Sequence, residues 1–253
     1  MRVEEVSPYD KEREKGVQVE KMFDNIAPHY DAMNTAMSMG QHKRWRNYAL
    51  KAAIKALPKS FKENRKYLDC LDIATGTGDV AFRLHELLPE AKIIGLDLSE
   101  GMLEKARLKL SNAPVETQER VSFVKGDSTK LPFENKTFDL VTVAYGVRNF
   151  SDLRKGISEM RRVLRDDGVL CIIELSQPQG KFTKLAYRVY SGMLIPLLGR
   201  LVSGDKKAYS YLPESIVACP QWDEMAALLE EAGFHDVKWV TMSFGAISYY
   251  IAK

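Results

Sequence analysis

The feature that most constrains this chain is an alternation of short apolar runs with amphipathic helical segments between residues 68 and 175. Five runs have the composition of buried strands: 68–74, 92–98, 121–125, 138–144 and 169–175. The intervening segments 79–88 and 151–164 place their apolar residues on one helical face. Strands that alternate with helices in this way predict a parallel sheet with helices on both faces.

The pattern changes after residue 220. Residues 221–232 have the period of an amphipathic helix that stops at Gly233. The segments 236–244 and 247–252 resemble strands and are separated only by Gly245 and Ala246, which predicts an antiparallel pair. The whole pattern therefore predicts a doubly wound α/β fold with a mostly parallel seven-stranded sheet and an antiparallel C-terminal strand pair.

Three further segments define the predicted domain organisation. Residues 1–20 are highly charged and predict a polar N-terminal arm, with residues 21–253 as one domain. Residues 21–57 have a helical pattern that breaks at Ser38-Met39-Gly40, and we interpret them as a helical lid. An insertion rich in Tyr, Leu and Gly occupies about 177–220.

Composition excludes several classes of protein. The formal net charge of +3 over 253 residues is too small to predict a nucleic-acid partner. No stretch of 18 uninterrupted apolar residues predicts a membrane span, and residues 1–21 have neither signal-peptide nor transit-peptide character. The three cysteines are widely spaced, so we expect reduced thiols in a cytoplasmic protein. No Cys, His and carboxylate cluster has ligand spacing, and we expect no metal ion.

A ligand loop is predicted where the first strand meets the first helix of the sheet. It contains Asp72 and Gly76-Thr77-Gly78, and its glycines allow a tight turn and a close approach to a ligand. Asp97 ends the second strand, where a carboxylate can accept hydrogen bonds from both hydroxyls of a ribose. After the third strand, the Asp127 carboxylate can accept a hydrogen bond from the amino group of an adenine.

Two nucleotide-like cofactors fit such a loop. Gly76-x-Gly78-x-x-Ala81 formally matches the nicotinamide dinucleotide fingerprint. However, a dehydrogenase has an apolar residue at the position of Asp72, and this chain lacks a second mononucleotide half. A carboxylate at Asp72 instead suits the amino group of an amino-acid cofactor, directly or through water. These features favour S-adenosylmethionine over the dinucleotide.

The same motifs resemble those of class I S-adenosylmethionine methyltransferases. The matching segments are 72–79, the strand end at Asp97, 126–133 and 162–168. The resemblance implies a cofactor site at Asp72, Gly76, Thr77, Gly78, Asp97, Leu98, Asp127, Ser128 and Ala144. Two positions depart from the pattern: Ala74 replaces the usual glycine of the loop, and Ala144 replaces a serine of many relatives.

Three more segments resemble the UbiE/MenG/Coq5 group of quinone-biosynthesis C-methyltransferases. Residues 22–45 read M-F-D-x-I-A-x-x-Y-D-x-M-N-x-x-M-S-x-G-x-H-x-x-W, and 146–150 and 209–216 match two further signatures. The resemblance implies C-methylation of a polyprenylated quinol ring, with demethylmenaquinol as the expected substrate. The alternatives are the ubiquinone branch, a small-molecule or sterol methyltransferase, and a non-catalytic cofactor-binding partner in a quinone-synthesis complex.

The catalytic candidates each have a second interpretation. Arg148 could stabilise a developing phenolate, or form a salt bridge to Asp31 or another acid. Asn149 could hold the quinol oxygen or serve as a turn residue, and Tyr30 could cover the sulfonium or pack in the lid. Asp31 is a candidate base, or a residue that holds Tyr30 and Arg148. His42 is a second candidate base, although a lone histidine on a helix is more often a packing residue.

The insertion contains an apolar stretch with basic residues at 185–202. It could form a groove for the isoprenoid tail or a surface that faces a membrane, so we expect a cytoplasmic protein at the inner face of the membrane. The alternatives are ordinary core helices or the contact of a homodimer.

Overall fold

The protein contains a seven-stranded sheet with strand order β3-β2-β1-β4-β5-β7-β6. In this computed structural model, the structure describes residues 2–10, 12–58, 67–180 and 206–253, with side chains left out at 206–210. The strands are β1 Asp69–Ile73, β2 Lys92–Asp97, β3 Val121–Lys125, β4 Phe138–Ala144, β5 Leu164–Leu175, β6 Lys238–Met242 and β7 Ile247–Ala252. The apolar stretch predicted at 185–202 lies outside the described residues.

The sheet confirms the predicted fold class. Strands β3, β2, β1, β4 and β5 pair in parallel, whereas β7 pairs antiparallel with both β5 and β6. One detail differs: β5 begins at Leu164 and contains Asp166-Asp167-Gly168, which we predicted as the turn before the strand. A register shift between Phe138 and Leu140 of β4 accommodates these extra residues as a bulge.

Helices cover both faces of the sheet. They are α1 Lys15–Ile26, α2 Tyr30–Ser38, α3 Gln41–Ala56, α4 Asp79–Leu87, α5 Glu100–Ser111, α6 Val115–Arg120, α7 Leu153–Val163, α8 Lys206–Ala218 and α9 Asp223–Glu231. Ser99 caps α5 as predicted, since its hydroxyl accepts a hydrogen bond from the Met102 amide. The predicted cap at Ser151 is wrong, because the side chain of Asp152 caps α7 instead.

The predicted break in the N-terminal helices is confirmed. Met39 and Gly40 both have left-handed backbone conformations, and they separate α2 from α3. Helix α1 begins at Lys15, so it crosses the predicted boundary between the arm and the lid. The residues before it also pack against the domain, where Val3 and Val6 are buried.

Two apolar clusters form the core, one on each face of the sheet. One contains Leu71, Ile73, Val141 and Val143 with residues of α7 and α9, and the other contains Cys70, Leu140 and Cys171 with residues of α3, α4 and α5. Alternate residues of β1 and β4 thus point to opposite faces, as expected for central strands covered on both sides. Within the described ranges, no helix is long and apolar enough to cross a membrane.

Candidate active site

Two cavities meet beyond the carboxyl ends of β1 and β4. We call the first the carboxylate cavity, because Asp97 and Asp127 line it. The second is the apolar cavity, which is lined by many residues of α1, α2 and α3. The two cavities share Phe23, Tyr30, Ala74, Gly76, Ala144, Tyr145 and Asn149. This is the end of the sheet at which ligands bind in open α/β folds.

Asp97 lies at the end of β2 in the wall of the carboxylate cavity. One carboxylate oxygen accepts a hydrogen bond from the Gly76 amide at 2.7 Å, and the other accepts from the Ser99 amide at 2.9 Å. Burial raises the pKa of Asp97 to about 6. The Leu98 amide also donates to this carboxylate, which still leaves acceptor capacity for a ligand hydroxyl.

The other predicted residues of this cavity come from three loops. Leu98 follows β2, Asp127 and Ser128 follow β3, and Ala144 ends β4. The Asp127 carboxylate accepts a hydrogen bond from the Thr129 amide at 2.8 Å, which orients it within the loop. The structure therefore brings Asp97, Leu98, Asp127, Ser128 and Ala144 together around one cavity, as the sequence predicted.

Asp72, near the end of β1, lines neither cavity. Its two oxygens accept hydrogen bonds from the hydroxyls of Thr75 at 2.6 Å and Thr142 at 2.7 Å. The carboxyl is buried, and burial raises its pKa to about 7. Asp72 thus connects β1, its loop and β4, and its contact with the amino group of a cofactor, directly or through water, stays a prediction.

Gly76, Thr77 and Gly78 of the glycine loop have different roles. Gly76 has a φ of 56° and lines both cavities. Gly78 has a φ of 84° and lines neither cavity, and a Cβ there would lie 2.7 Å from the ring of Phe123. Gly78 is therefore required by the backbone turn and by packing. Thr77 lines the apolar cavity and not the carboxylate cavity, and its place in the cofactor site stays a prediction.

Tyr30 separates the two cavities and belongs to the walls of both. Its ring packs edge-to-face on Phe23, with centroids 6.1 Å apart, and burial raises the pKa of its hydroxyl. The apolar cavity beyond it is lined mainly by large apolar side chains, among them Met22, Ile26, Met33, Met37, Trp45, Leu175, Leu212 and Ile216. This wall suits an apolar ligand with a few polar groups.

Arg148 and Asn149 lie in the turn after β4, in the wall of the apolar cavity. The Arg148 guanidinium forms a buried salt bridge with Glu174, with Nη1 and Oε1 2.6 Å apart. Of the two partners that the sequence allowed, Asp31 or another acid, the structure shows the second. Its Nε atom has no hydrogen-bond partner among the described residues. Asn149 Oδ1 accepts a hydrogen bond from the Tyr211 hydroxyl at 3.0 Å. An unpaired buried donor in a cavity wall is suited to a ligand oxygen.

Asp31 requires a correction. Its carboxylate accepts from the Thr77 hydroxyl at 2.6 Å and forms an ion pair with Lys109 at 2.7 Å. Lys109 also pairs with Asp79 at 2.8 Å. Asp31 therefore connects α2 to the glycine loop and to α5, and its carboxylate does not hold Arg148, whose partner is Glu174.

His42 lies near the start of α3 and lines the apolar cavity. Its Nδ1 atom lies 2.6 Å from the Ser38 hydroxyl. Burial, and then the neighbouring Arg46 charge, lower the pKa of His42. The imidazole is therefore largely neutral at pH 7, which is the form that can accept a proton.

The sequence alone missed three residues of the site: Glu174, Tyr211 and Lys109. Glu174 is a single acid in the apolar run of β5, and a lone charge in a buried strand signals a buried partner. Tyr211 lies inside the signature at 209–216, so the sequence indicated that its position matters but not that its hydroxyl contacts Asn149. Lys109 carries no such signal, since it occupies the polar face of an ordinary amphipathic helix.

Comparisons with known proteins agree with this geometry. The model of the ubiE/COQ5 methyltransferase family matches residues 10–253. The demethylmenaquinone methyltransferase of Bacteroides fragilis is 42% identical over 98% of this chain and 97% of its own length. The ubiquinone/menaquinone biosynthesis C-methyltransferase UbiE of Geobacter sulfurreducens is 37% identical over 95% of this chain and 90% of its own.

A solved structure shows the same fold at low sequence identity. It is an S-adenosylmethionine-dependent methyltransferase of Thermotoga maritima, with a TM-score of 0.57 and 18% identity over 92% of this chain and 98% of that one. The two cavities beyond β1 and β4, the quoted signatures and the nearly full-length match lead to one conclusion. This chain is a methyltransferase that belongs to the ubiE/COQ5 methyltransferase family.

Proposed function

We propose that this protein transfers a methyl group from S-adenosylmethionine to a ring carbon of demethylmenaquinol and so forms menaquinol. The observation that carries the proposal is the junction of the carboxylate cavity with the apolar cavity at Tyr30, Gly76 and Ala144. The name of the Bacteroides fragilis relative supplies the substrate.

The carboxylate cavity has the chemistry that S-adenosylmethionine requires. Asp97 offers acceptors for ribose hydroxyls, and Asp127 offers one for the adenine amino group. Met102 and Phe150 add apolar wall on which an adenine ring can pack. The cofactor supplies an electrophilic methyl group attached to a positively charged sulfur.

The chain must then promote loss of one proton from a quinol hydroxyl, because the ring carbon is a weak nucleophile until the phenolate forms. In the proposal, the Arg148 guanidinium stabilises the phenolate oxygen and Asn149 orients it. His42, neutral because its pKa is lowered, accepts the proton. Tyr30 covers the junction and excludes water, and its ring face favours a nearby positive charge. The methyl–sulfur bond would break as the new carbon–carbon bond forms. The ring-carbon proton would then move to the oxygen and restore the quinol, and His42 would release the proton that it accepted to solvent when the product leaves.

A ubiquinone-type benzoquinol is the second candidate substrate. The name of the Geobacter sulfurreducens relative includes both branches, and an apolar wall does not distinguish a naphthoquinol from a benzoquinol. The substrate assay therefore includes both rings.

The test is methyl transfer from labelled S-adenosylmethionine under reducing conditions, with product masses measured after extraction. We expect demethylmenaquinol to gain one methyl group, and the Asp97→Ala protein to be nearly inactive. Transfer to the benzoquinol alone would replace the first substrate by the second. Cofactor binding without transfer to either quinol would reject the proposal in favour of a non-catalytic partner.

A further inference from the structure

Two apolar side chains project into solvent from strained backbone positions. Phe244, in the turn between β6 and β7, is 88% exposed with a φ of 58°. Met39, between α2 and α3, is 83% exposed with a φ of 50°. The left-handed conformation costs roughly 1–2 kcal/mol for a residue with a Cβ, and glycine or asparagine is the usual occupant. The backbone of Met39 forms the C-cap of α2 and that of Phe244 forms a turn, but neither role requires a large exposed apolar side chain.

Met39 and Phe244 both lie in turns whose neighbouring residues line the apolar cavity. Met37, Ser38 and His42 on either side of Met39 line that cavity, and so do Ala246 and Ile247 after Phe244. The Trp45 indole nitrogen donates a hydrogen bond to the Ser243 hydroxyl at 2.8 Å. Helix α3, which follows the turn at Met39, is therefore connected to the turn between β6 and β7. Trp45 itself lines the cavity. The exposed side chains of Met39 and Phe244 therefore belong to the two turns that border this cavity.

Helix α3 begins two residues after Met39, and its exposed face carries an aromatic ring and positive charge. One exposed face of the helix presents residues at helical spacing: Arg44, Tyr48, Lys51 and Lys55. Tyr48 is 62% exposed. The helix contains no acidic residue, so this face is uniformly basic.

We propose that Met39, Tyr48 and Phe244, which we call the rim, dock on an anionic phospholipid bilayer. The apolar tips enter the interface between headgroups and acyl chains, and Arg44 and Lys51 pair with anionic headgroups. The apolar cavity then lies beside the membrane, where a polyprenylated substrate resides. This last point rests on the proposed function, whereas docking itself does not.

The test is co-sedimentation of the full chain with phosphatidylglycerol-containing vesicles and with pure phosphatidylcholine vesicles, without substrate or cofactor. We expect stronger binding to the anionic vesicles, and weaker binding at high salt. Phe244→Gly removes one buried ring from the interface, so its binding should fall on the order of tenfold. The same change relieves the backbone strain, so its melting temperature should stay equal or rise.

Val115→Ser is the matched control, since Val115 is also exposed, at 66%, but lies at the start of α6 beside β3, at the other edge of the sheet. It should bind vesicles like the unmodified protein. Equal binding by the Phe244→Gly protein, or no preference for anionic vesicles, would overturn the proposal.

A second readout separates docking from catalysis. Phe244→Gly should methylate a short-tailed, water-soluble quinol at the normal rate, but a long-tailed quinol in vesicles more slowly. If the rim governs vesicle binding while no quinol is methylated, the proposed function fails and the docking surface stands. If the variant methylates both quinols normally, the role of the rim in substrate delivery is overturned, and docking is decided by the vesicle-binding measurement alone.

Discussion

The Lys15 ammonium donates a hydrogen bond to the main-chain carbonyl of Arg148 at 2.9 Å. The same ammonium donates a second hydrogen bond to the Val3 carbonyl at 2.6 Å. The buried Lys15 side chain therefore connects the N-terminal residues to the turn that carries Arg148. Gln18, also buried, bonds to the main chain of Tyr9, Asp10 and Arg13. The charged segment before residue 20 is therefore attached to the site by polar side chains.

Burial lowers the pKa of Lys15 to about 8, from 10.5. Between these two values the unfolded chain binds a proton that the folded chain does not, so the free energy of unfolding should rise with pH. Relative to Lys15→Met, the unmodified protein should gain roughly 1 kcal/mol per pH unit from pH 8 to 10.5. Denaturant unfolding across this range measures the difference, and a constant difference would contradict the lowered pKa.

Removal of Arg148 should affect both catalysis and stability. Arg148→Ala should lower kcat on the order of 100-fold, as for loss of one preorganised oxyanion donor. It also leaves the Glu174 carboxylate buried without its partner, which should destabilise the fold by about 3 kcal/mol. The double variant Arg148→Ala with Glu174→Gln should regain stability but not activity. Recovery of both would make Arg148 a structural residue only.

The ion pair between Asp31 and Lys109 should hold α2 over the junction of the cavities. Asp31→Asn and Lys109→Met should each raise the dissociation rate of S-adenosylhomocysteine by about twofold to fivefold, the scale of a partly exposed ion pair. Stopped-flow release measures this rate. The dependence of kcat on pH should not change in Asp31→Asn, whereas loss of the acidic limb of that profile, where a general base is protonated, would restore Asp31 as the proton acceptor.

Cofactor affinity should depend on the ionisation of Asp97. Because its pKa is raised to about 6, the carboxylate is ionised at neutral pH and gains its proton as the pH falls below 6. Calorimetry should show weaker binding of S-adenosylhomocysteine below that pH. Asp97→Asn should bind it more weakly by about 2 kcal/mol at pH 7.5 and should lose this pH dependence. The same pH dependence in the variant would assign it to another group, with Asp72 as the first to examine.

Ala74 occupies a glycine position of the loop with a φ of 52°. Ala74→Gly should stabilise the protein by roughly 1 kcal/mol, because glycine adopts this conformation without strain. Ala36→Gly, on the exposed side of α2, is the matched control and should destabilise by about the same amount. Thermal unfolding of both proteins checks the opposite signs.

The strand pattern predicted most of the fold because apolar periodicity is a local property. The differences between the predicted and observed fold also have local causes. Ser151 and Asp152 are both good N-cap residues, and only the backbone conformation determines which of them caps α7. The cavity-lining residues after β2 and β3 were predictable because strand ends of one parallel sheet share an edge.

Contacts between distant residues could not be predicted in this way. Asp72 has the position of a cofactor ligand, but two threonine hydroxyls occupy its oxygens, and one of them lies 70 residues away. The partner of Asp31 is 78 positions along the chain, on the polar face of α5, where any lysine would satisfy the helical pattern. The sequence identifies such groups as polar and buried, but the partner depends on how helices pack on the sheet.

Strand β7 is the last in chain order, yet it lies between β5 and β6 in the sheet. During synthesis, the edge of β5 therefore remains unpaired until residues 247–252 have left the ribosome. The nascent chain can assemble the five parallel strands earlier, but an open edge of this kind can pair with other chains. Pairing of β7 with β6 and β5 therefore covers the long strand β5 and leaves the shorter strand β6 as the edge on this side of the sheet.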